Sequence, residues 1–285
     1  MQCYRSRCLE LADVYFHHLA PAPFTAALVR YVCLIMHPGL VLPTPVERNM
    51  QIACSVKLNS GCLSRQVGAV LTDAQFHLLS VGWNQQPEGK FPCSYRDMDT
   101  ICHSAAEDET CRLMYSDFEL GEDFKRSLDQ VRRTCQAEEE NGGPVEDGMP
   151  AYYCFKDIYN SMTGEKDFSY ARSLHAEENA FLNLRTNAAA AKGGYLFTTS
   201  SPCVSCAKMA MQLQISRIYY VEQYPGIQNR YVLSAGVPEG RPEMILMAGA
   251  VGKAYMQLYT PEMPLKDEAE LRMGRKMTEL LTEEP

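Results

Sequence analysis

The chain has 285 residues, an apolar fraction of 46% and a formal net charge of -8. This length and composition are typical of a globular protein with one large domain, or one domain plus appendages. A polynucleotide-binding protein usually carries a basic stripe, because phosphate neutralisation dominates such binding. The acidic balance therefore argues against a nucleic-acid partner and favours a small-molecule substrate.

Twelve cysteines raise the question of a disulfide framework. The N-terminal region shows no secretory signal, because charged residues such as Arg5, Arg7, Glu10 and Asp13 interrupt any apolar core. The most apolar early stretch, residues 24–36, contains an arginine and is too short to span a bilayer. We therefore predict a cytoplasmic protein without a membrane partner, whose thiols are free or metal-bound.

The chain divides into three predicted regions. Residues 1–40 are expected to be an N-terminal helical extension or linker, residues 41–262 the main domain, and residues 263–285 a charged helical tail. The main domain is interrupted by an insertion at residues 92–170, which holds five cysteines and many charges. We expect this insertion to contain short helices and few core-forming residues.

Helices and strands alternate in the remaining part of the main domain. A capping box at Thr44-Pro45-Val46-Glu47 predicts a helix start, and a helix is expected from His175 to about Gly193. A further helix is predicted to open at Pro202. The predicted strands cover residues 67–71, 76–83, 195–199 and 216–222. This order predicts an α/β sandwich with partly parallel pairing.

Two short motifs carry the chemistry: His175-Ala176-Glu177 and Pro202-Cys203-Val204-Ser205-Cys206. Cys203 and Cys206 lie three residues apart at a helix start, so both sulfurs face the same way. A helix N-terminus lowers thiol pKa values, which favours the thiolates that zinc needs. With a neutral His175 imidazole, three ligands leave one tetrahedral position open, which is the pattern of a catalytic zinc site.

Glu177 lies two residues from His175, near the metal but free to move protons. It is predicted to take a proton from the attacking water and to protonate N3 and the departing amine of a cytosine. A P-C-x-x-C motif alone is also compatible with half of a structural zinc site or with a redox pair. The chain contains no second C-x-x-C, and the H-x-E and P-C-x-x-C pair is the signature of zinc deaminases.

These motifs and their surroundings resemble deoxycytidylate deaminases over roughly half of the chain, in residues 47–89 and 174–248. Ser64-Arg65-Gln66-Val67-Gly68-Ala69 is similar to that family's S-x-Q-V-G-A strand, and Gly82-Trp83-Asn84 to its G-Y-N loop. His175 to Ala180 resembles its H-A-E-x-N-A helix start. The resemblance implies a three-layer αβα cytidine deaminase-like sandwich with a mixed five-stranded sheet, a bound Zn²⁺ and a homo-oligomer.

The same resemblance implies roles for residues that contact the substrate. Asn84 would hydrogen-bond the sugar, although a strand-end cap is the alternative. The amide of Ala176 would hold the base carbonyl, and the carbonyl of Ser201 would accept from the leaving amino group. Tyr224 would either stack on the substrate or fill the core.

A narrower resemblance leaves the substrate open. Residues 36–40 and 57–62 are similar to the C-terminal half of bacterial antiphage dCTP deaminases, in which a P-loop, kinase-like domain precedes the deaminase. This chain has no G-x-x-x-x-G-K-[ST] motif, so that domain is expected to be missing or to have been removed. Three hypotheses follow. The first is a dCMP or dCTP deaminase, and a dCTP deaminase would act in antiphage defence. The second is a polynucleotide deaminase similar to tRNA adenosine deaminases, and the third is a catalytically silent zinc-binding regulatory module.

The insertion contains a candidate second metal site. Cys93, Cys102, His103 and Cys111 lie within nineteen residues, and such a density of soft ligands in a cytoplasmic chain favours metal over disulfide. Some deoxycytidylate deaminases carry an additional structural zinc in the matching loop. The spacing lacks C-x-x-C pairs, however, and free cysteine also packs as a small buried hydrophobe.

Overall fold

The computed structural model describes residues 12, 14–16, 21–101, 112–140, 151–165, 170–184, 188–223, 229–234 and 236–276. The strands are β1 Val14–Tyr15, β2 Gly68–Thr72, β3 Leu78–Trp83, β4 Tyr195–Ser200, β5 Arg217–Glu222, β6 Glu243–Leu246 and β7 Gly249–Ala250. The helices are α1 Pro21–Met36, α2 Pro45–Val56, α3 Asp117–Leu120, α4 Glu122–Glu140, α5 Phe155–Thr163, α6 Ala176–Leu182, α7 Val204–Gln212, α8 Gly252–Tyr259 and α9 Leu265–Met273. None of the helices within these ranges is long and apolar enough to cross a membrane.

A mixed five-stranded sheet in the order β3-β2-β4-β5-β6 forms the centre of the fold. Strand β2 is antiparallel to both β3 and β4, whereas β4, β5 and β6 run parallel to one another. Helix α2 packs on one face of the sheet, and α6 and α7 pack on the other. The predicted three-layer αβα sandwich with a mixed five-stranded sheet is confirmed.

Alternation along the strands divides the apolar core into two layers. On the α6 and α7 face, the core is built from Ala69, Leu71, Ala180, Leu196, Ala210 and Ile218. On the α2 face, it is built from Met50, Ala53, Val70, Phe197, Tyr219 and Val221. Successive side chains of a strand point to opposite faces, so β2, β4 and β5 each supply both layers.

Two glycines let the helices approach the sheet on its opposite faces. A Cβ at Gly68 would lie 2.0 Å from the Ala53 carbonyl oxygen of α2. A Cβ at Gly82 would lie 2.3 Å from both the Ala176 carbonyl oxygen and the Ala180 nitrogen of α6. Both distances are far below van der Waals contact with backbone atoms that cannot swing away, so only glycine fits at these positions.

We expect Gly82→Ala to push α6 away from the sheet, because the new methyl group overlaps the α6 backbone. Overpacking of this kind costs about 1–3 kcal/mol of unfolding free energy, and a displaced α6 should also hold zinc less tightly. Denaturant unfolding and zinc content measure the two effects. Gly240→Ala is the matched control, since its nearest heavy atom beyond its chain neighbours would be the Val237 Cγ2 at 3.7 Å. Equal losses in the two variants would contradict this account of Gly82.

Three elements differ from their predicted form. The helix that follows His175 ends at Leu182 rather than near Gly193, and residues 188–191 form a separate 3-10 turn. The side chain of Asn183, the residue that caps this helix, donates to the Val81 carbonyl oxygen at 3.1 Å, which ties the end of the helix to β3. Val14 and Tyr15, expected in a helix, instead form β1 and pair with β7. The inserted residues also form an apolar core of their own, made of Met98, Ile101, Tyr115, Phe124, Leu128, Tyr153 and Ile158.

A buried carboxylate, Glu47, joins α1 to the main domain. Glu47 is the third residue of α2, and its predicted capping box with Thr44 is present. Its fully buried side chain also accepts hydrogen bonds from Tyr31 of α1 at 2.6 Å, Tyr259 of α8 at 2.7 Å and the Ala250 amide at 3.0 Å. An ion pair with Arg30 of α1 at 3.1 Å completes its shell, so residues 21–36 pack directly on the sandwich.

The hydrogen bonds to Glu47 make stability depend on pH. Burial alone would raise the pKa of Glu47, but the donors, led by the Ala250 amide and the Tyr31 hydroxyl, outweigh it and lower the pKa from 4.5 to about 2. A carboxyl group with a depressed pKa stabilises the fold above its unfolded pKa and loses that contribution as pH falls towards its folded pKa. The difference corresponds to a contribution on the order of 3 kcal/mol, present above about pH 5 and lost towards pH 2.

We therefore expect the unfolding free energy of the wild type to fall more steeply between pH 5 and pH 2 than that of Glu47→Gln. The glutamine variant should already be destabilised at pH 7, because it replaces an acceptor oxygen with a donor. Exposed Glu243→Gln is the control and should follow the wild-type curve. Parallel curves for wild type and Glu47→Gln would show that this carboxylate does not cause the loss of unfolding free energy at low pH.

Candidate active site

Two helices begin at the same edge of the sheet. His175 is the N-terminal cap of α6, and Cys203 is the N-terminal cap of α7, three residues after the end of β4. The His175 amide donates to the Glu178 carboxylate at 2.8 Å, and the Cys206 amide donates to the Cys203 sulfur at 3.5 Å. These capping bonds satisfy backbone donors at the helix starts and fix the backbone from which the ligand side chains project.

His175, Cys203 and Cys206 form a three-residue cluster of metal-ligating atoms. The His175 Nδ1 lies 3.4 Å from each sulfur, and the two sulfurs are 3.6 Å apart. Tetrahedral zinc with ordinary bond lengths to nitrogen and sulfur gives ligand separations of about 3.6 and 3.8 Å. The donor atoms and their spacing therefore fit a zinc ion, and within the described ranges no other such cluster occurs.

The ionisation of Cys203 also favours a metal. The hydrogen bond with Cys206, followed by those from His175 and the Cys206 amide, lowers the pKa of Cys203 to about 4 against the effect of burial. Cys203 is therefore a thiolate at neutral pH, which is the form that binds metal. The hydrogen bond with Cys203, followed by burial, raises the pKa of Cys206, a thiol that a bound cation would deprotonate.

Glu177 lies beside the cluster without belonging to it. Its side chain is 4% exposed, and burial is the main cause of its raised pKa. Thr198 on β4 donates to the Glu177 Oε1 at 2.9 Å, and the same hydroxyl lies 2.8 Å from the Ser200 carbonyl oxygen. The Thr198 hydroxyl can thus donate to an ionised Glu177, or accept from a protonated one while it donates to Ser200.

Thr198 is a site residue that our sequence reasoning missed. The available signal was strand alternation, because Thr198 lies two residues after Leu196, which faces α6, and so projects to the same side. Threonine is common in strands, and no motif distinguishes this one.

The residues predicted to contact the substrate lie around this cluster. Ala176 is buried at the start of α6, and Ser201 is buried after β4, where its amide donates to the Glu222 carbonyl oxygen at 2.8 Å. The buried Asn84 accepts from the Val67 amide at 2.8 Å and donates to the Arg65 carbonyl oxygen at 2.6 Å. Asn84 thus connects the end of β3 to the segment before β2. Its contact with the sugar stays a prediction. Tyr224 lies outside the described residues.

The predicted second metal site is described only at Cys93. This thiol is buried, and burial raises its pKa. Cys102, His103 and Cys111 lie outside the described residues. The Cys93 sulfur accepts from the Gln86 side chain at 3.6 Å, and Arg96, Cys154 and Cys62 act on it electrostatically.

The similarity of the chain to known proteins agrees with this geometry. A family model described as the cytidine and deoxycytidylate deaminase zinc-binding region matches residues 43–222. The chain belongs to the cytidine and deoxycytidylate deaminase family. The protein is therefore a zinc-dependent hydrolytic deaminase.

Several relatives of the deaminase come from phages. It is 27% identical over 175 residues to the deoxycytidylate deaminase of Enterobacteria phage T4, covering 61% of this chain and 76% of that protein. It is 26% identical over 175 residues to the deoxycytidylate deaminase of Enterobacteria phage T2, covering 61% and 78%. A crystal structure of dCMP deaminase from the cyanophage S-TIM5 in complex with dCMP and dUMP aligns with a TM-score of 0.38 at 21% identity, covering 70% of this chain and 95% of that one.

We expect Thr198→Val to lower kcat by about tenfold or more while zinc content stays unchanged, since groups that orient a catalytic residue typically matter by this factor. Valine keeps the shape of threonine but removes the hydroxyl that contacts Glu177. Thr198→Ser keeps that hydroxyl and should retain most of the activity. Steady-state kinetics on both variants tests the assignment, and equal rates for Val and Ser would contradict it.

Proposed function

We propose that the deaminase converts a deoxycytidine nucleotide, dCMP or dCTP, into the corresponding deoxyuridine nucleotide and releases ammonia. The observation that carries the proposal is the buried Glu177 carboxylate beside the His175, Cys203 and Cys206 cluster. The phage T4 and T2 relatives, both named deoxycytidylate deaminases, support a nucleotide as substrate. The net charge of -8 supports a free nucleotide over a polynucleotide.

His175, Cys203 and Cys206 would hold the catalytic zinc through one imidazole nitrogen and two sulfurs. When bound, zinc acts as a Lewis acid that lowers the pKa of water to near neutrality. Three protein ligands would leave one coordination position for the reactant. The candidate ligands lie on two different helices that pack on one sheet face, so their relative positions are fixed by the core.

Glu177 would be the proton carrier of the reaction. It would take a proton from the attacking water and deliver it to N3 of cytosine. It would then take the proton of the hydroxyl now on C4 and give it to the amino group, which leaves as ammonia while the C4 carbonyl of uracil forms. Burial raises the pKa of Glu177, which brings it nearer to neutral pH and makes both uptake and release of the proton easier. Because the Thr198 hydroxyl can donate or accept, it can keep its hydrogen bond to Glu177 in both protonation states of the carboxyl group.

Backbone groups would orient the base. The Ala176 amide would hold the carbonyl of the pyrimidine, and the Ser201 carbonyl would accept from the amino group before it leaves. Asn84 would contact the sugar, and Tyr224 would stack on the substrate. The first two residues are buried next to the candidate ligands His175 and Cys203, where a base at the metal would be placed.

The narrower form of the proposal is a dCTP deaminase that depletes the dCTP pool in antiphage defence. Its support is the resemblance of residues 36–40 and 57–62 described above. The number of phosphates on the preferred substrate distinguishes a dCTP deaminase from a dCMP deaminase.

Glu177→Ala should abolish turnover, by several orders of magnitude, because it removes both the base and the acid of one mechanism. Zinc content should stay near the wild-type value, because Glu177 is not among the three clustered ligands. Exposed Glu243→Ala is the control and should keep full activity. Loss of zinc from Glu177→Ala, or more than a few per cent of remaining activity, would refute this role.

Measurement of the zinc content also tests for the second metal site predicted in the insertion. One zinc per chain, unchanged in Cys93→Ser, would leave the insertion cysteines as packing residues. Two zincs per chain, with one lost in Cys93→Ser, would establish a second site there.

Ammonia release should be compared on dCMP, dCTP, deoxycytidine, cytidine and a short single-stranded oligonucleotide. We expect one deoxynucleotide to exceed cytidine in kcat/KM by at least about tenfold, because phosphate contacts add charge-assisted hydrogen bonds. Comparable rates on cytidine, or a clear preference for the oligonucleotide, would refute the free-nucleotide proposal. No release from any substrate would favour a catalytically silent zinc-binding module.

A further inference from the structure

An arginine lies at the rim of the candidate active site, on the sheet face that carries the metal-ligating cluster. Strand register places the side chains of Thr198, Ser200 and Glu222 on the α6 and α7 face, because they follow Leu196 and Ile218 at intervals of two residues. Arg65 reaches this face at the end of β4, where its Nη1 donates to the Ser200 hydroxyl at 2.9 Å. Its other terminal nitrogen lies 3.5 Å from the Glu222 carboxylate.

Asn84 holds the backbone of this arginine. The Asn84 amide group donates to the Arg65 carbonyl oxygen at 2.6 Å, while its oxygen accepts from the Val67 amide two residues later. Because both bonds come from one buried side chain, the Arg65 segment is fixed to the end of β3 beside the candidate ligands. Asn84 is also the residue proposed to contact the sugar, so Arg65 adjoins the proposed sugar position.

The order of groups along this edge follows the order of groups in a nucleotide. The cytosine C4 must reach the zinc cluster, the sugar comes next, and the 5′-phosphate lies at the far end of the molecule. The Leu174 amide, next to His175, donates to the carbonyl oxygen of Gln85, next to Asn84, at 2.9 Å, and Asn84 in turn binds the Arg65 backbone, so these residues follow one another in the same order. A phosphate that extends past Asn84 therefore arrives at a guanidinium.

Exposure and charge at Arg65 suit an anionic ligand. Its side chain is 39% exposed and that of Glu222 is 22% exposed, so water screens their 3.5 Å ion pair and a phosphate can compete for it. Arg172, a second arginine near the candidate site, is instead committed to the buried Glu119 and stacks on the Phe155 ring. Arginine binds phosphate with a planar fork of donors, which gives direction as well as charge.

We propose that Arg65 binds the 5′-phosphate of the substrate and thereby makes the deaminase select nucleotides over nucleosides. This inference rests on the proposed function, since it requires a deoxycytidine nucleotide as substrate. The Ser200 hydroxyl keeps the guanidinium at the rim, and Glu222 keeps it oriented until the phosphate displaces the carboxylate.

The test is the ratio of kcat/KM for the preferred nucleotide, dCMP or dCTP, to kcat/KM for deoxycytidine. Arg65→Gln should lower this ratio by about 10- to 100-fold, the range expected for lost charge-assisted hydrogen bonds. Arg65→Lys, which keeps the charge but not the fork, should give an intermediate ratio. Arg217→Gln is the matched control, because Arg217 forms a similar exposed ion pair with Glu243 at the opposite end of β5.

A role confined to structure predicts a different outcome. If Arg65 only braced Ser200 and Glu222, Arg65→Gln would lower turnover of nucleotide and nucleoside by the same factor, and the unchanged ratio would overturn the proposal. Direct binding of dUMP relative to deoxyuridine, measured by calorimetry, gives a second readout that does not need turnover, and in Arg65→Gln it should weaken selectively for dUMP. Failure of the wild type to deaminate any deoxycytidine nucleotide would overturn the proposed function itself, which is a separate result.

Discussion

The candidate active site depends on how closely α6 can approach the sheet. At Gly82 the backbones of β3 and α6 come so near that even a methyl group would overlap, and the contact falls within the first turns of α6. Asn179 then donates to the Trp83 carbonyl oxygen at 2.7 Å and locks the helix at that distance. His175 and Glu177 are consequently held by close main-chain packing together with this side-chain hydrogen bond.

The end of β4 provides the complementary half of the candidate site. Within six residues, Thr198 donates to Glu177 and the Ser200 hydroxyl accepts from Arg65. The Ser201 amide donates to the Glu222 carbonyl oxygen, and Cys203 caps α7. The parallel pairing of β4 with β5 puts the start of α7 at the carboxyl edge of the sheet, where ligands bind in open α/β folds. A strand end and two helix starts thus converge on one position.

Much of this arrangement was predictable from local pattern. The H-x-E and P-C-x-x-C motifs identified the three clustered ligands and Glu177, because such short spacings on a helix start leave few geometries. Alternation located β2 to β5 within one or two residues. The end of α6, by contrast, depends on the Asn183 bond to β3. Strand β1 depends on pairing with β7, in which Val14 lies opposite Ala250, 236 residues further along the chain. Contacts of that sequence separation leave no periodic signal in either segment.

The buried Glu119 of the insertion has a consequence for how this protein opens. It is paired with Arg96, near the start of the insertion, and with Arg172, three residues before His175. Separating one of these partners would leave a charge uncompensated inside the protein, which is strongly unfavourable. The insertion and the segment leading into α6 therefore form one cooperative unit, whose amides should exchange with solvent in a common opening event rather than independently.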